Sequence, residues 1–215
     1  MSRTRLPWVS AGCGRMAALE PFAPLLVNTS PRKLPQTAAQ REIAMTFSLY
    51  SMAIDTFVPM LRTLSTLLDK AAAHAEARKI APAVLLQSRL FPDMLPLTKQ
   101  VQIACDTAKM CAARLTGKTA PVHEDNETTL AQLKERIQKV LDYLATFTAA
   151  DYKDAATIKV SQPRWEGKYL TGAEFAVQHA IPNLHFHIVT AYSILRHNGI
   201  TIGKKDYLGD MPFKS

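Results

Sequence analysis

A chain of 215 residues that is 47% hydrophobic and holds only 8 glycines can bury one core without staples. Its formal charge of +8 is not one patch: residues 1–44 carry six Arg and Lys against two Glu, and the remainder is only mildly basic. With no basic stripe interleaved with aromatics, nucleic acid is excluded as a partner, and an odd three cysteines without CxxC exclude a disulfide frame.

Residues 1–44 differ in character from the rest of the chain. Their apolar part is interrupted by Glu20, Pro21 and Pro24, so it makes a poor signal-peptide core. The segment is expected to be a disordered tail, a transit-like segment or a start called too early, with the domain spanning residues 45–215. A cytoplasmic location is expected, or an organelle if the segment is a transit peptide. Cys13, Cys105 and Cys111 are read as free thiols of a reducing compartment, the last two as small core residues.

The first long helix is predicted from about Ser48 to Lys79, because Phe57, Leu61, Leu64 and Leu68 recur at helical spacing. Pro59 inside it should kink the helix or mark its first turn. A short helix follows from Pro82. The second long helix is predicted over about Asp93–Leu115, ending before Gly117. Leu97, Val101, Ala104, Ala108 and Leu115 mark its inner side, which Gln100 shares. Gln102, Asp106 and Lys109 lie on a more polar side.

The third helix is predicted over about Asn126–Phe147, with an apolar stripe of Leu130, Leu133, Ile137, Val140, Leu141, Leu144 and Phe147. Lys134, Glu135, Arg136 and Lys139 form its expected solvated face. Residues 148–170 break the pattern and read as a small hairpin or extended loop. Thr171 and Glu174 fit a capping box that opens the last helix, and Asn198-Gly199 closes it. From Phe175 to Leu195 no residue carries a formal charge with histidine neutral. Gln178, Asn183, Thr190, Ser193, a proline and three histidines argue against a membrane span and for a helix buried in a bundle. With no βαβ rhythm, Walker motif or G-x-S-x-G elbow, the expected fold is all-α, a four-helix bundle.

The stretch QHAIPNLHFH, residues 178–187, is the richest in candidate chemistry. His179, Asn183 and His187 are four residues apart, so they share one side of an ideal helix, and His185 points elsewhere. His179 and His187 are about 12 Å apart along the axis, too far for both to reach one ion. Pro182 should bend the helix and can open a cavity. The residues leave three readings open: a polar bundle interior, a small-molecule pocket of Gln100, His179, Asn183 and His187, or a metal held by Asn183 paired with either His187 or His179.

The segments LLDKAAAHAEARKI, RLFPDMLPLTKQVQIACDTAK and HAIPNLHFHIVTAYSILRHNGITIGKKDYLG occur in order. Together they resemble a family of unknown function allied to the DinB-like helical bundles, over about Met45–Gly209. The resemblance implies a DinB-like four-helix bundle that is often dimeric, so a homodimer is expected. The wider group includes metalloenzymes and thiol transferases whose site is three histidines. On that pattern His187 matches the last ligand, while Asn183 stands where the preceding histidine would be. Gln100 occupies the place on the second long helix. The expected function is therefore a soluble bundle with a polar pocket for a small molecule and an incomplete ligand set for a divalent metal, zinc or nickel. The alternatives are a metal-dependent transferase acting on a low-molecular-weight thiol, and a structural or interaction protein.

Overall fold

The computed structural model describes residues 48–214, and the expectations for residues 1–44 lie outside the described residues. Helix α1, Leu49–Arg78, begins where the Ser48 hydroxyl accepts the Ser51 backbone N–H at 3.1 Å. It ends at Lys79, which takes the left-handed conformation at φ 54°. Phe57, Leu61, Leu64 and Leu68 are all sealed from solvent, as their spacing predicts. Pro59 lies within the helix on its exposed side, so the hydrogen bond it removes falls on the wet face.

Helix α2, Pro82–Gln87, is short and leads to α3, Leu97–Thr116. Helix α3 starts later than the predicted Asp93. Pro96 disfavours helical geometry in the residue before it and becomes the N-cap itself. Gly117, at φ 73°, closes the helix where expected.

Helix α4, Leu130–Leu144, also starts later than predicted. Thr129 and Gln132 form a capping box there: the threonine hydroxyl accepts the Gln132 N–H, and the Gln132 carbonyl oxygen accepts the Thr129 N–H, each at 3.1 Å. One expectation fails on this helix. Glu135 and Lys139 are exposed, but Arg136 is buried, because residues 125–127 fold back over it and supply carboxylates.

The predicted hairpin is present as β1, Lys159–Ser161, and β2, Tyr169–Thr171, antiparallel with Val160 opposite Leu170. Thr171 and Glu174 make the predicted capping box, which opens α5, Gly172–Glu174. A π-helical segment, Phe175–Ala180, continues directly into α6, Ile181–His197. Helix α7, Lys204–Leu208, then packs on α1. The long helices form the expected bundle: α3 and α1 each pack against both α4 and α6. Among the described residues no helix is long and apolar enough to cross a membrane.

Candidate functional site

The wide turn before Pro182 reorganises the histidine-rich stretch. A proline at 182 cannot donate a backbone hydrogen bond to residue 178. The chain relaxes ahead of it into π geometry, where the Ile181 N–H reaches Ala176 O, five residues back. A π turn holds more residues than an α turn, so it advances less than the usual 100° per residue. His179 thereby leaves the line it would share with Asn183 and His187 on an ideal helix.

The four expected pocket residues consequently fall into three separate contacts. Gln100 and His187 meet, with the His187 Nδ1 and Gln100 Oε1 2.7 Å apart. Asn183 turns away and donates to the Thr107 hydroxyl at 2.7 Å. His179 meets Arg164 at 3.0 Å and stacks on Phe175 with ring centroids 5.3 Å apart. Among the described residues no hydrogen bond joins Gln100, His179, Asn183 and His187 into one cluster; only Gln100 and His187 meet. Among the described residues, cavities open beside Arg136, at the hairpin, and between α1 and α7.

Gln100 orients His187. Its amide nitrogen donates to Leu95 O at 2.9 Å, which leaves Oε1 as an acceptor facing the imidazole. His187 therefore carries its proton on Nδ1, and its Nε2 presents a lone pair with no partner among the described residues. Burial lowers the His187 pKa, which keeps the ring neutral. Helix α6 leaves the neighbouring Phe186 exposed, its ring set edge-on to that of His187 at 5.2 Å. His185 points to the other side, against the Tyr207 hydroxyl at 3.0 Å.

This arrangement does not fit a bound zinc or nickel. His179 spends its Nε2 on Arg164, so among the described residues His187 offers the one free ring nitrogen at this seam. Gln100, in the place of a third ligand, spends its oxygen on His187 itself. Among the described residues no three His, Cys, Asp or Glu side chains are grouped to hold an ion.

A second polar centre was not read from the sequence. Arg136, 2% exposed at its side chain, lies 3.0 Å from Asp106, 2.9 Å from Asp125 and 3.0 Å from Glu127. Gln102 donates to Glu127 at 2.7 Å, and Lys109 reaches Asp106 at 2.8 Å and His123 at 3.2 Å. Lys109 can only donate, so His123 Nδ1 accepts and the ring is neutral. Burial, then the charges of Lys109 and Arg136, lower the His123 pKa accordingly. The sequence did place Gln102, Asp106 and Lys109 on one polar side of α3. Arg136 also follows Leu133 at three residues and precedes Val140 at four, which is the register of the buried stripe. That spacing was the signal for its burial.

Cys105 and Cys111 are sealed in the core, and burial pushes both thiols up to about 12. A thiol held so far above neutral pH supplies no thiolate for nucleophilic chemistry. In the native protein, neither should react with an aromatic disulfide reagent at pH 8 before unfolding. Peptide mapping of the labelled chain would show this, and rapid native labelling at either position would contradict it.

Residues 49–208 match a family profile described as a domain of unknown function, DUF1993. The crystal structure of a DinB family member protein from Shewanella denitrificans is 60% identical to this chain. That match covers 78% of this chain and 95% of the other, with a TM-score of 0.75. No curated protein matches.

Proposed function

The chain belongs to the DUF1993 family, an all-α DinB-like family, and from that premise we propose that it binds a small molecule at the seam of α3 and α6. The observation that supports this is the 2.7 Å contact of Gln100 with His187. It holds a neutral imidazole in one tautomer with its acceptor nitrogen unspent. Such a nitrogen accepts a hydrogen bond from a hydroxyl, amide or thiol on a ligand. Binding in this reading needs no metal, because the seam offers one ring nitrogen where a metal needs three or four donors.

Nuclear magnetic resonance tests the proposal on nitrogen-15-labelled chain titrated with small alcohols, amides and thiols. At least one compound should shift the Gln100 side-chain amide and the His187 ring together. His187→Phe, which keeps a planar ring, should abolish that response. If no compound moves both groups, the seam is a packed polar contact and this reading fails. Elemental analysis of chain purified without a polyhistidine tag separates the transferase alternative. Less than about one-tenth equivalent of metal is expected, against one equivalent for a real site. Stoichiometric zinc or nickel that His187→Ala removes would replace this reading with a metal-dependent one.

A further inference from the structure

The junction of the hairpin and the π-helical segment gathers cations around an aromatic cluster. Trp165 lies edge-on to Phe175 and to His179, at centroid distances of 6.1 Å and 5.3 Å. Arg114, from α3, stands over the Phe175 ring at 5.7 Å. Arg164 contacts His179 Nε2 at 3.0 Å. A guanidinium only donates, so Nε2 accepts and the histidine is neutral with its proton on Nδ1. That Nδ1–H is buried and has no acceptor, and the nearby Gln162 amide nitrogen is in the same condition.

Among the described residues neither arginine has an acid within ion-pair distance. Burial lowers the Arg114 pKa, and the like charge of Arg164 adds a smaller push in the same direction, against an opposing effect from Cys111. Beside them a cavity of about 380 Å³ is lined by Arg164, Trp165, Glu166, Lys168, Tyr169 and Leu170. Its size suits a small ligand, and its walls combine two rings and a leucine with a guanidinium fork. Lys159 stands over the Tyr169 ring at 4.6 Å and adds to the positive field. Glu166 is the acid of this wall and forms no ion pair among the described residues. The other nearby acid, Glu174, is engaged by the Thr171 backbone and hydroxyl at 2.9 Å and 2.7 Å.

We propose that this junction binds a small aromatic carboxylate, its anionic end on Arg164 and its ring against Trp165 and Tyr169. Arg164 has five N–H donors, and His179 occupies one, which leaves a fork for a carboxylate. His179 is a positioning residue: as a neutral acceptor it turns the guanidinium without cancelling its charge. The planar walls favour a flat apolar body, which inorganic phosphate lacks. The site is separate from the seam at His187, so either proposal can fail without the other.

The test is a fluorescence titration of the full chain with benzoate. The chain has only 2 tryptophans, Trp8 and Trp165, so Trp165→Phe assigns the signal. Benzoate should produce a saturable change that Trp165→Phe removes. Arg164→Gln should weaken binding at least about tenfold, and Arg164→Lys should fall between the two. Benzyl alcohol and inorganic phosphate should give no saturation over the same range. Arg164 is exposed, so both variants should melt like the parent. The proposal is overturned if benzoate gives no saturable change, if Arg164→Gln binds it as well as the parent, or if benzyl alcohol or phosphate binds equally.

Discussion

Replacing Arg136 with methionine should destabilise the protein by about 3 kcal/mol, measured by urea denaturation at pH 7. The guanidinium is buried at the centre of the α3–α4 seam and touches three carboxylates from two segments. Methionine fills much of the volume but leaves Glu127, whose side chain is 9% exposed, without its cation. Breaking a buried ion pair by removing one partner costs about 3–5 kcal/mol. The low end applies because Asp106 and Asp125 remain partly solvated. Arg136→Lys should recover only part of the loss, since one ammonium cannot serve three acids in the geometry of a planar fork.

The same centre sets an acid limit. Burial opposes the charges of Asp125 and Glu127, yet both pKa values end below the ordinary carboxylate range. Hydrogen bonds from Lys99 and Arg136 outweigh burial at Asp125, and those from Arg136 and Gln102 do so at Glu127. A depressed folded pKa means that the unfolded chain binds protons first as pH falls. The stabilisation is therefore complete above about pH 4–5 and is lost as pH drops through the lower folded values. Arg136→Met should flatten that acid dependence as well as lower stability at pH 7. A variant within about 1 kcal/mol of the parent, with the same slope between pH 5 and pH 3, would show that the seam is held by packing alone.

Gly172→Ala should have a comparable effect for a different reason. A Cβ at this position would stand 1.8 Å from the backbone oxygen of Ala155 and 3.1 Å from Ile158 Cγ1. Here β2 turns into the last helix, and the Gly172 and Ala173 N–H groups donate to Ile158 O and Ala156 O at 2.8 Å and 3.1 Å. Two backbone segments cross with no room for a methyl group, and neither can retreat without breaking those bonds. The expected cost is about 3 kcal/mol, the upper end for overpacking. Gly167→Ala is the comparison. Gly167 has φ 84° with nothing within 4 Å of its Cβ position, so only the left-handed conformation is penalised, by about 1 kcal/mol. If Gly172→Ala melts no lower than Gly167→Ala, the crossing yields more easily than its hydrogen bonds imply.

The elements were legible wherever their cause is local. The stripe from Phe57 to Leu68, the Thr171–Glu174 box, the glycines at 117 and 199 and the hairpin near residue 160 are all where the sequence places them. The misses at the starts of α3 and α4 were also local: Pro96 and the Thr129–Gln132 box outrank the apolar period that runs past them. Arg136 is a basic residue that type would assign to water and position assigns to the core.

The histidines show the boundary between the two kinds of information. Spacing alone put His179, Asn183 and His187 on one side, since the arithmetic assumes about 100° per residue. Pro182 announced a disturbance but could not say which form it would take. In the fold it is a π turn that sends His179 to Trp165 and Arg164, residues of the hairpin. By itself the sequence determined the helices, several of their caps and the family, because periodicity and capping depend on neighbours along the chain. Only the tertiary structure decided which polar groups meet. Gln100 and His187 are 87 residues apart, and Asn183 and Thr107 are 76 apart. Contacts of that reach are set by how helices pack, and no local pattern encodes them.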